Sequence, residues 1–256
     1  MRSLRIPFFA GVCIWLLAGS AGATGVSSGI PYQLEVTIGG NAYGLGDLVH
    51  TYTPTGDGSG GTYQLTSPAV TPFGTVTNWG STYDIDPQVT NNFTVVNTTL
   101  VAQIFTVSVT SPIAPVLPTS LMRGSIGVTL TDEGPLDGFG DTDGSALLES
   151  ALSTDTYRAF LDGSPVQSLL FDPFTLTCGL FNCSTSTSAS FGIPVRIAGP
   201  GASLSMGIAV QFELSPGDSA SVTSVFNIIP VPEPSTALTV GFGLVGLAVA
   251  ARRRSE

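Results

Sequence analysis

The chain contains no lysine, one histidine (His50) and three cysteines in 256 residues, and charged residues make up only 10% of it. Each shortage removes chemistry. Without lysine there is neither a phosphate-binding P-loop lysine nor a Schiff-base amine. The run Gly56-Asp57-Gly58-Ser59-Gly60-Gly61-Thr62 therefore reads as a loop despite its glycines. His50 stands between Val49 and Thr51 with no acid–base partner at a recognisable spacing, so it reads as a strand residue rather than a general base. A Ser-His-Asp triad would have to be assembled wholly by the fold. A zinc site would need more soft ligands than the cysteines and one histidine supply at their spacing.

What is present at the termini is more informative. Arg2 and Arg5 precede an apolar run from Ile6 to Ala18, and Ala21-Gly22-Ala23 offers a small-x-small cleavage site before Thr24. That is the pattern of a secretory signal peptide over residues 1–23. Cys13 leaves with it. Cys178 and Cys183 remain, an even pair in an exported chain, for which a disulfide is the leading reading.

Near the other end, residues 235–251 carry no charge and Arg252-Arg253-Arg254 follow them. As a helix this segment would be roughly 25 Å long, slightly short of a hydrocarbon core of about 30 Å. Arginines beside a hydrophobic span stay cytoplasmic, which places everything before Pro232 outside. Gly241, Gly243 and Gly246 match the dinucleotide fingerprint in letters only, because that motif needs a βαβ unit and a later acidic residue. They read instead as thinning a membrane helix so that another can approach.

Val231-Pro232-Glu233-Pro234-Ser235, the Gly-rich apolar segment and Arg252 to Arg254 together resemble the PEP-CTERM sorting signal of bacterial exported proteins. The resemblance covers residues 231–256. It implies recognition by an exosortase, a membrane-embedded cysteine transpeptidase, with transient residence in the inner membrane and cleavage near Pro232-Glu233-Pro234. Release or re-attachment at the cell surface, or in an exopolysaccharide matrix, would follow.

Residues 24–230 are then the delivered domain. Leaving out the terminal segments, which hold Glu233, Glu256 and five of the eight arginines, gives 16 carboxylates against Arg123, Arg158 and Arg196, a net charge of −13. Such a surface repels nucleic acid and anionic lipid, which excludes polyanion binding.

Period-two alternation dominates this domain. Tyr32, Leu34, Val36 and Ile38 alternate with polar residues, and stretches 48–53 and 62–66 flank a turn-rich loop as a hairpin. Further strands are marked by Phe93 and Val95, by Phe105 to Val109, and by Met122 to Leu130. Tyr157 to Leu161 and Val166 to Phe171 straddle the hairpin signal Asp162-Gly163. Leu204 to Leu214 and Ala220 to Ile228 read as a strand pair around Ser215-Pro216-Gly217-Asp218. Residues 80–88 read as a loop, 146–152 as one or two helical turns, and Pro112, Pro115 and Pro118 as a ladder-free connection. About ten to thirteen strands predict an all-β fold, an antiparallel β-sandwich of jelly-roll or immunoglobulin-like type. A signal peptide and a C-terminal hydrophobic helix flank it.

The acidic, Gly-rich loop after Thr131 is the best candidate site. Asp137, Asp141 and Asp143 supply carboxylates, and the glycines among them would let the loop wrap a calcium ion, although the EF-hand frame itself is absent. A solvated acidic turn is the alternative. Trp79 and Tyr83, with Tyr43 and Tyr52 elsewhere, would form a platform for sugar rings if exposed. The leading expectation is a non-enzymatic exported surface or matrix protein without a cofactor. An extracellular carbohydrate-binding module, supported by calcium, is second, and a secreted hydrolase third.

Overall fold

The computed structural model describes residues 32–85, 87–133, 145–179 and 182–231. Its 17 strands divide between two antiparallel sheets that face each other as a sandwich. Sheet A runs β12 (Ser164–Leu169), β11 (Tyr157–Leu161), β16 (Ser205–Leu214), β8 (Gln103–Pro112), β1 (Gln33–Ile38) and β2 (Asn41–Gly44). Strand β10 (Ala146–Glu149) also pairs with β16, and β13 (Thr175–Cys178) pairs with β10. Sheet B runs β14 (Ser184–Phe191), β9 (Ser120–Thr131), β17 (Ser219–Pro230), β7 (Gln88–Val96), β6 (Gly74–Asp84), β4 (Gly60–Leu65) and β3 (His50–Pro54). Short strands β15 (Ile197–Gly199) and β5 (Ala69–Thr71) attach to β9 and β6.

The alternation read from sequence places the core. Leu34, Val36 and Ile38 of β1 are buried, whereas Gln33 before them and Glu35 among them are exposed. Sheet B contributes Trp79, Phe93 and Phe226, and sheet A contributes Phe105, Tyr157 and Phe212, all fully buried. The Phe93 and Phe212 rings lie parallel with centroids 6.5 Å apart and so join the two sheets. Burying each such ring contributes about 1.5–3 kcal/mol.

The hairpins β3–β4 and β11–β12 form where the sequence put them. Asp162 and Gly163, with φ of 49° and 77°, make the two-residue turn of the second, in the backbone form that matches the twist of its strands.

Several expectations are corrected. Seventeen strands replace ten to thirteen, since short additions such as β2, β5 and β15 leave no periodic trace. The helical turns expected at residues 146–152 are strand β10, in which Ala146 and Leu148 are buried and Leu147 and Glu149 half-buried. An apolar run of this length has no distinguishable period, and pairing with both β13 and β16 decides it. The loop expected at 80–88 is the end of β6, a turn, and the start of β7. Ser81 is accommodated inside because its Oγ donates to the Thr90 carbonyl at 2.6 Å.

Strands β16 and β17 are not partners. The first pairs with β8 and β11 in sheet A, the second with β7 and β9 in sheet B. The turn at 215–218 is therefore an arch across the sandwich. The proline-rich connection was expected to be ladder-free, but Pro112 ends β8 paired with Ser205, and Leu117 bridges Ala202.

Candidate functional site

The aromatic residues do not form the expected platform. Trp79 lies on β6 with no exposed surface, and its Nε1–H donates to Asn91 Oδ1 at 2.9 Å in the core. Tyr83, on the same strand, is also buried, and Tyr43 lies on β2 in the opposite sheet. Instead, Tyr32, Tyr52, Tyr63 and Tyr83 pack against one another. The Tyr63 ring centroid lies 4.7 Å from that of Tyr32 and 4.6 Å from that of Tyr52, while the Tyr52 and Tyr83 hydroxyls are 3.1 Å apart. Tyr52 closes over Gly61, where a Cβ would stand 2.3 Å from its Cε2. Burial pushes the phenols of Tyr32 and Tyr83 well above their ordinary value, so both stay neutral hydroxyls. The cluster packs one end of the sandwich and presents no ring face for stacking beyond Tyr52.

His50 begins β3, and its Nδ1–H donates to the Leu48 carbonyl at 2.8 Å. Its ring leans on Tyr63 at 5.6 Å. Cys178, at the end of β13, and Cys183, just before β14, are joined in a disulfide with Cα atoms 6.0 Å apart. It ties the last residue of β13 in sheet A to the residue before β14 in sheet B.

The outer face of sheet A holds a groove that sequence reasoning missed. A cavity of about 470 Å³ is lined by Gln33, Glu35, Leu45, Ser108 and Thr110 among others. A second, of about 220 Å³, shares Ser108 and Thr110 and continues to Gly207, Ala209 and Phe160. Register explains the lining. Glu35, Ser108, Ala209 and Arg158 sit in one row across β1, β8, β16 and β11. Small residues make the floor, and the Arg158 guanidinium lies over the Phe160 ring, 5.6 Å from its centroid, at one wall. The sequence signal was the small outward residues alternating along β8 and β16, which carry no motif.

Asp137, Asp141 and Asp143, the expected calcium ligands, lie outside the described residues. Among the described residues no cluster of three or more acidic, histidine or cysteine side chains could hold a metal ion. Of the sorting segment only Val231 is described. Its N–H donates to the Thr119 carbonyl at 3.4 Å, the last such bond before the tail. Residues 232–256, with Pro232 to Ser235, the apolar segment and Arg252 to Arg254, fall outside, as does the signal segment 1–23. No helix among the described residues is long and apolar enough to cross a membrane.

The family model described as the PEP-CTERM protein-sorting motif matches residues 230–254. The chain carries a PEP-CTERM sorting motif. It marks an exported protein that is anchored transiently in the membrane and sorted by exosortase. The PEP-CTERM match begins at Pro230, the last residue of β17, so the motif and the sandwich meet without a linker. No curated protein matches the chain. Among solved structures, "Structure of infectious bursal disease virus Gx strain" is similar at 15% identity and a TM-score of 0.24, over 82% of this chain and 53% of that one. The chain thus spans about half the length of that structure, and a likeness this distant bears on neither fold nor function.

Proposed function

We propose that this protein is a non-enzymatic component of the cell surface or the extracellular matrix, delivered by its PEP-CTERM tail and cut near Pro232-Glu233-Pro234. One observation carries the reading. Strand β17 ends at Pro230, and the motif starts on that same residue. Cleavage beyond Pro232 therefore costs the sandwich none of its ladder, and what is released is a finished fold. A surface of Ser, Thr and Asn side chains with net charge −13 over residues 24–231 stays hydrated beside polysaccharide. Mass spectrometry of the protein recovered from its host tests this. The expected C-terminus lies between Val231 and Ser235, and deleting the host's exosortase should restore Arg252 to Arg254. Recovery of those arginines from unmodified cells overturns the proposal.

A second reading, binding of extracellular carbohydrate, is favoured by the groove on sheet A. Its volume is within the range of small-ligand sites. Gln33, Glu35, Ser108 and Thr110 offer the amide, carboxylate and hydroxyl groups that hydrogen-bond sugar hydroxyls. A glycan array, repeated with calcium, should yield hits that Ser108→Trp abolishes by filling the floor. An array without hits removes this reading and leaves the first intact.

A further inference from the structure

Sheet edges are where chains of this kind pair with one another, and most edges here are blunted. Strands β2, β3, β5, β12, β13 and β15 each have six residues or fewer. Pro54 ends β3, Pro165 lies within β12, and a register irregularity interrupts the pairing of β12 with β11. Strand β14 differs on every count. Ser184–Phe191 spans eight residues, carries no charge and no proline, and holds an unbroken register with β9. It pairs with β9 alone, and among the described residues no backbone hydrogen bond reaches its other side. None of its residues is buried.

We propose that β14 is the seam along which two copies of this protein pair, antiparallel, continuing sheet B across a two-fold axis beside Thr187. Charge selects both the occupant and the direction. A chain of net charge −13 repels its own copy over most of its surface, and β14 is an uncharged approach. The face beside it is uncharged too, with Ser186, Thr129, Ser221, Thr94 and Asn78 following one another in a row across five strands. The two ends of the seam carry opposite charge. Exposed Glu133 lies two residues beyond Thr131, which is paired with Ser184 at one end, with buried Asp132 between them. Arg123 precedes Gly124, which is paired with Phe191 at the other, and its charge is felt by Arg196 nearby. Two of the three arginines in residues 24–231 thus gather at one end of β14.

Antiparallel pairing sets each copy's arginine end against the other's acidic end, whereas parallel pairing would oppose like charges. With Thr187 on the axis, Ser186 faces Ser188 and Ser184 faces Ser190, every pair on the same face of the continued sheet. The two acidic ends are then separated along the strand by about 20 Å, beyond a Debye length of about 8 Å at physiological ionic strength. One strand pair is a small interface, so association belongs to the high local concentration of a surface layer. The inference goes beyond the matrix reading, because pairing is measured on purified protein whatever becomes of the tail.

The test is cysteine cross-linking of the full chain in mild detergent. Thr187→Cys alone, or Ser186→Cys mixed with Ser188→Cys, should give a reducible dimer, since directly opposed strand residues fall within disulfide reach. Thr53→Cys, on the opposite edge of sheet B, should stay largely monomeric, which separates the seam from association through the tail. Adding Arg123→Glu should cut the dimer yield several-fold. Equal cross-linking at position 53, or monomer from both Thr187→Cys and the mixture of Ser186→Cys with Ser188→Cys, overturns the proposal. Hydrogen exchange of the unmodified protein gives a second reading that needs no variant. Amides of β14 should gain protection as concentration rises, and protection independent of concentration overturns the seam.

Discussion

Replacing Asn97 should destabilise the protein more than any exposed position can, because that side chain holds the arch between the sheets. Asn97 is fully buried at the end of β7. Its Nδ2 donates to the carbonyls of Val101, Leu214 and Ser215 at 2.8, 3.0 and 3.0 Å. Its Oδ1 accepts from Thr99 N and Oγ1 at 3.0 and 2.8 Å. Its backbone exchanges bonds with Gly217 and Asp218, both at 2.9 Å. The residue thus ties the end of β7 in sheet B to the end of β16 in sheet A and to the turn that follows.

Each side-chain bond is worth about 1 kcal/mol net, and stranding buried carbonyls adds to the loss, so Asn97→Ala should cost about 2–4 kcal/mol. For a domain of this size that is a fall in Tm of about 5–15 °C. Asn97→Asp keeps the shape but turns the donor into a carboxylate facing three carbonyl oxygens. Burial and those oxygens raise its folded pKa. The variant should therefore be worse than Asn97→Ala at pH 7. It should recover as the pH falls through the raised folded pKa toward the ordinary carboxylate value of about 4, where the acid is protonated in both states. Urea denaturation followed by the fluorescence of buried Trp79 measures both effects through the midpoint at constant slope. An Asn97→Ala loss below about 0.5 kcal/mol, or a pH-independent Asn97→Asp, refutes the reasoning.

The Asp162 carboxylate accepts from the N–H groups of Ser203, Leu204 and Ser205 at 2.9, 2.8 and 2.9 Å and from Ser203 Oγ at 3.0 Å. Partial burial opposes its charge, but these donors outweigh burial and lower its pKa. The stability it gives is present above the ordinary carboxylate pKa and lost as pH falls through the lowered one; solvent screens this exposed carboxylate, so Asp162→Asn should lower stability only modestly at pH 7 and not at all in strong acid. A gap of constant size across acid denaturation curves contradicts this. Burial raises the phenols of Tyr32, Tyr83 and Tyr157 far above their usual pKa. The stability this contributes is complete below pH 10 and disappears above it, so an ultraviolet titration should show these three releasing protons only as the protein unfolds. Reversible titration of all tyrosines near pH 10 in the folded state refutes it.

Much of the sandwich was legible because one face of each long strand is buried. Leu34, Val36 and Ile38 announced β1, and the Asp162-Gly163 turn fixed the hairpin around it, since both signals are local. The partner of a strand is not local. Leu204 to Leu214 and Ala220 to Ile228 alternate as a hairpin would, yet the arch sends them to different sheets. What distinguishes an arch from a hairpin is Asn97, far away in sequence, which reads as nothing more than the start of Asn97-Thr98-Thr99. Ala146 to Glu149 is too short for its period to be read. The groove on sheet A was invisible for a related reason. Gln33, Ser108, Gly207 and Phe160 come from four strands, and only register brings them to one surface. The PEP-CTERM motif, by contrast, is contiguous, so its residues sufficed.

The position of β17 governs when this protein becomes itself. It is the strand nearest the sorting motif, yet it lies in the middle of sheet B, gripped by β9 on one side and β7 on the other. In a chain exported from its N-terminus, β9 and β7 emerge early and wait apart, with no shared partner until Pro230 has crossed. Every half-delivered copy therefore carries a split sheet. Closure of the sandwich coincides with arrival of the tail at the bilayer, so the processing enzyme receives its substrate at the moment folding can finish.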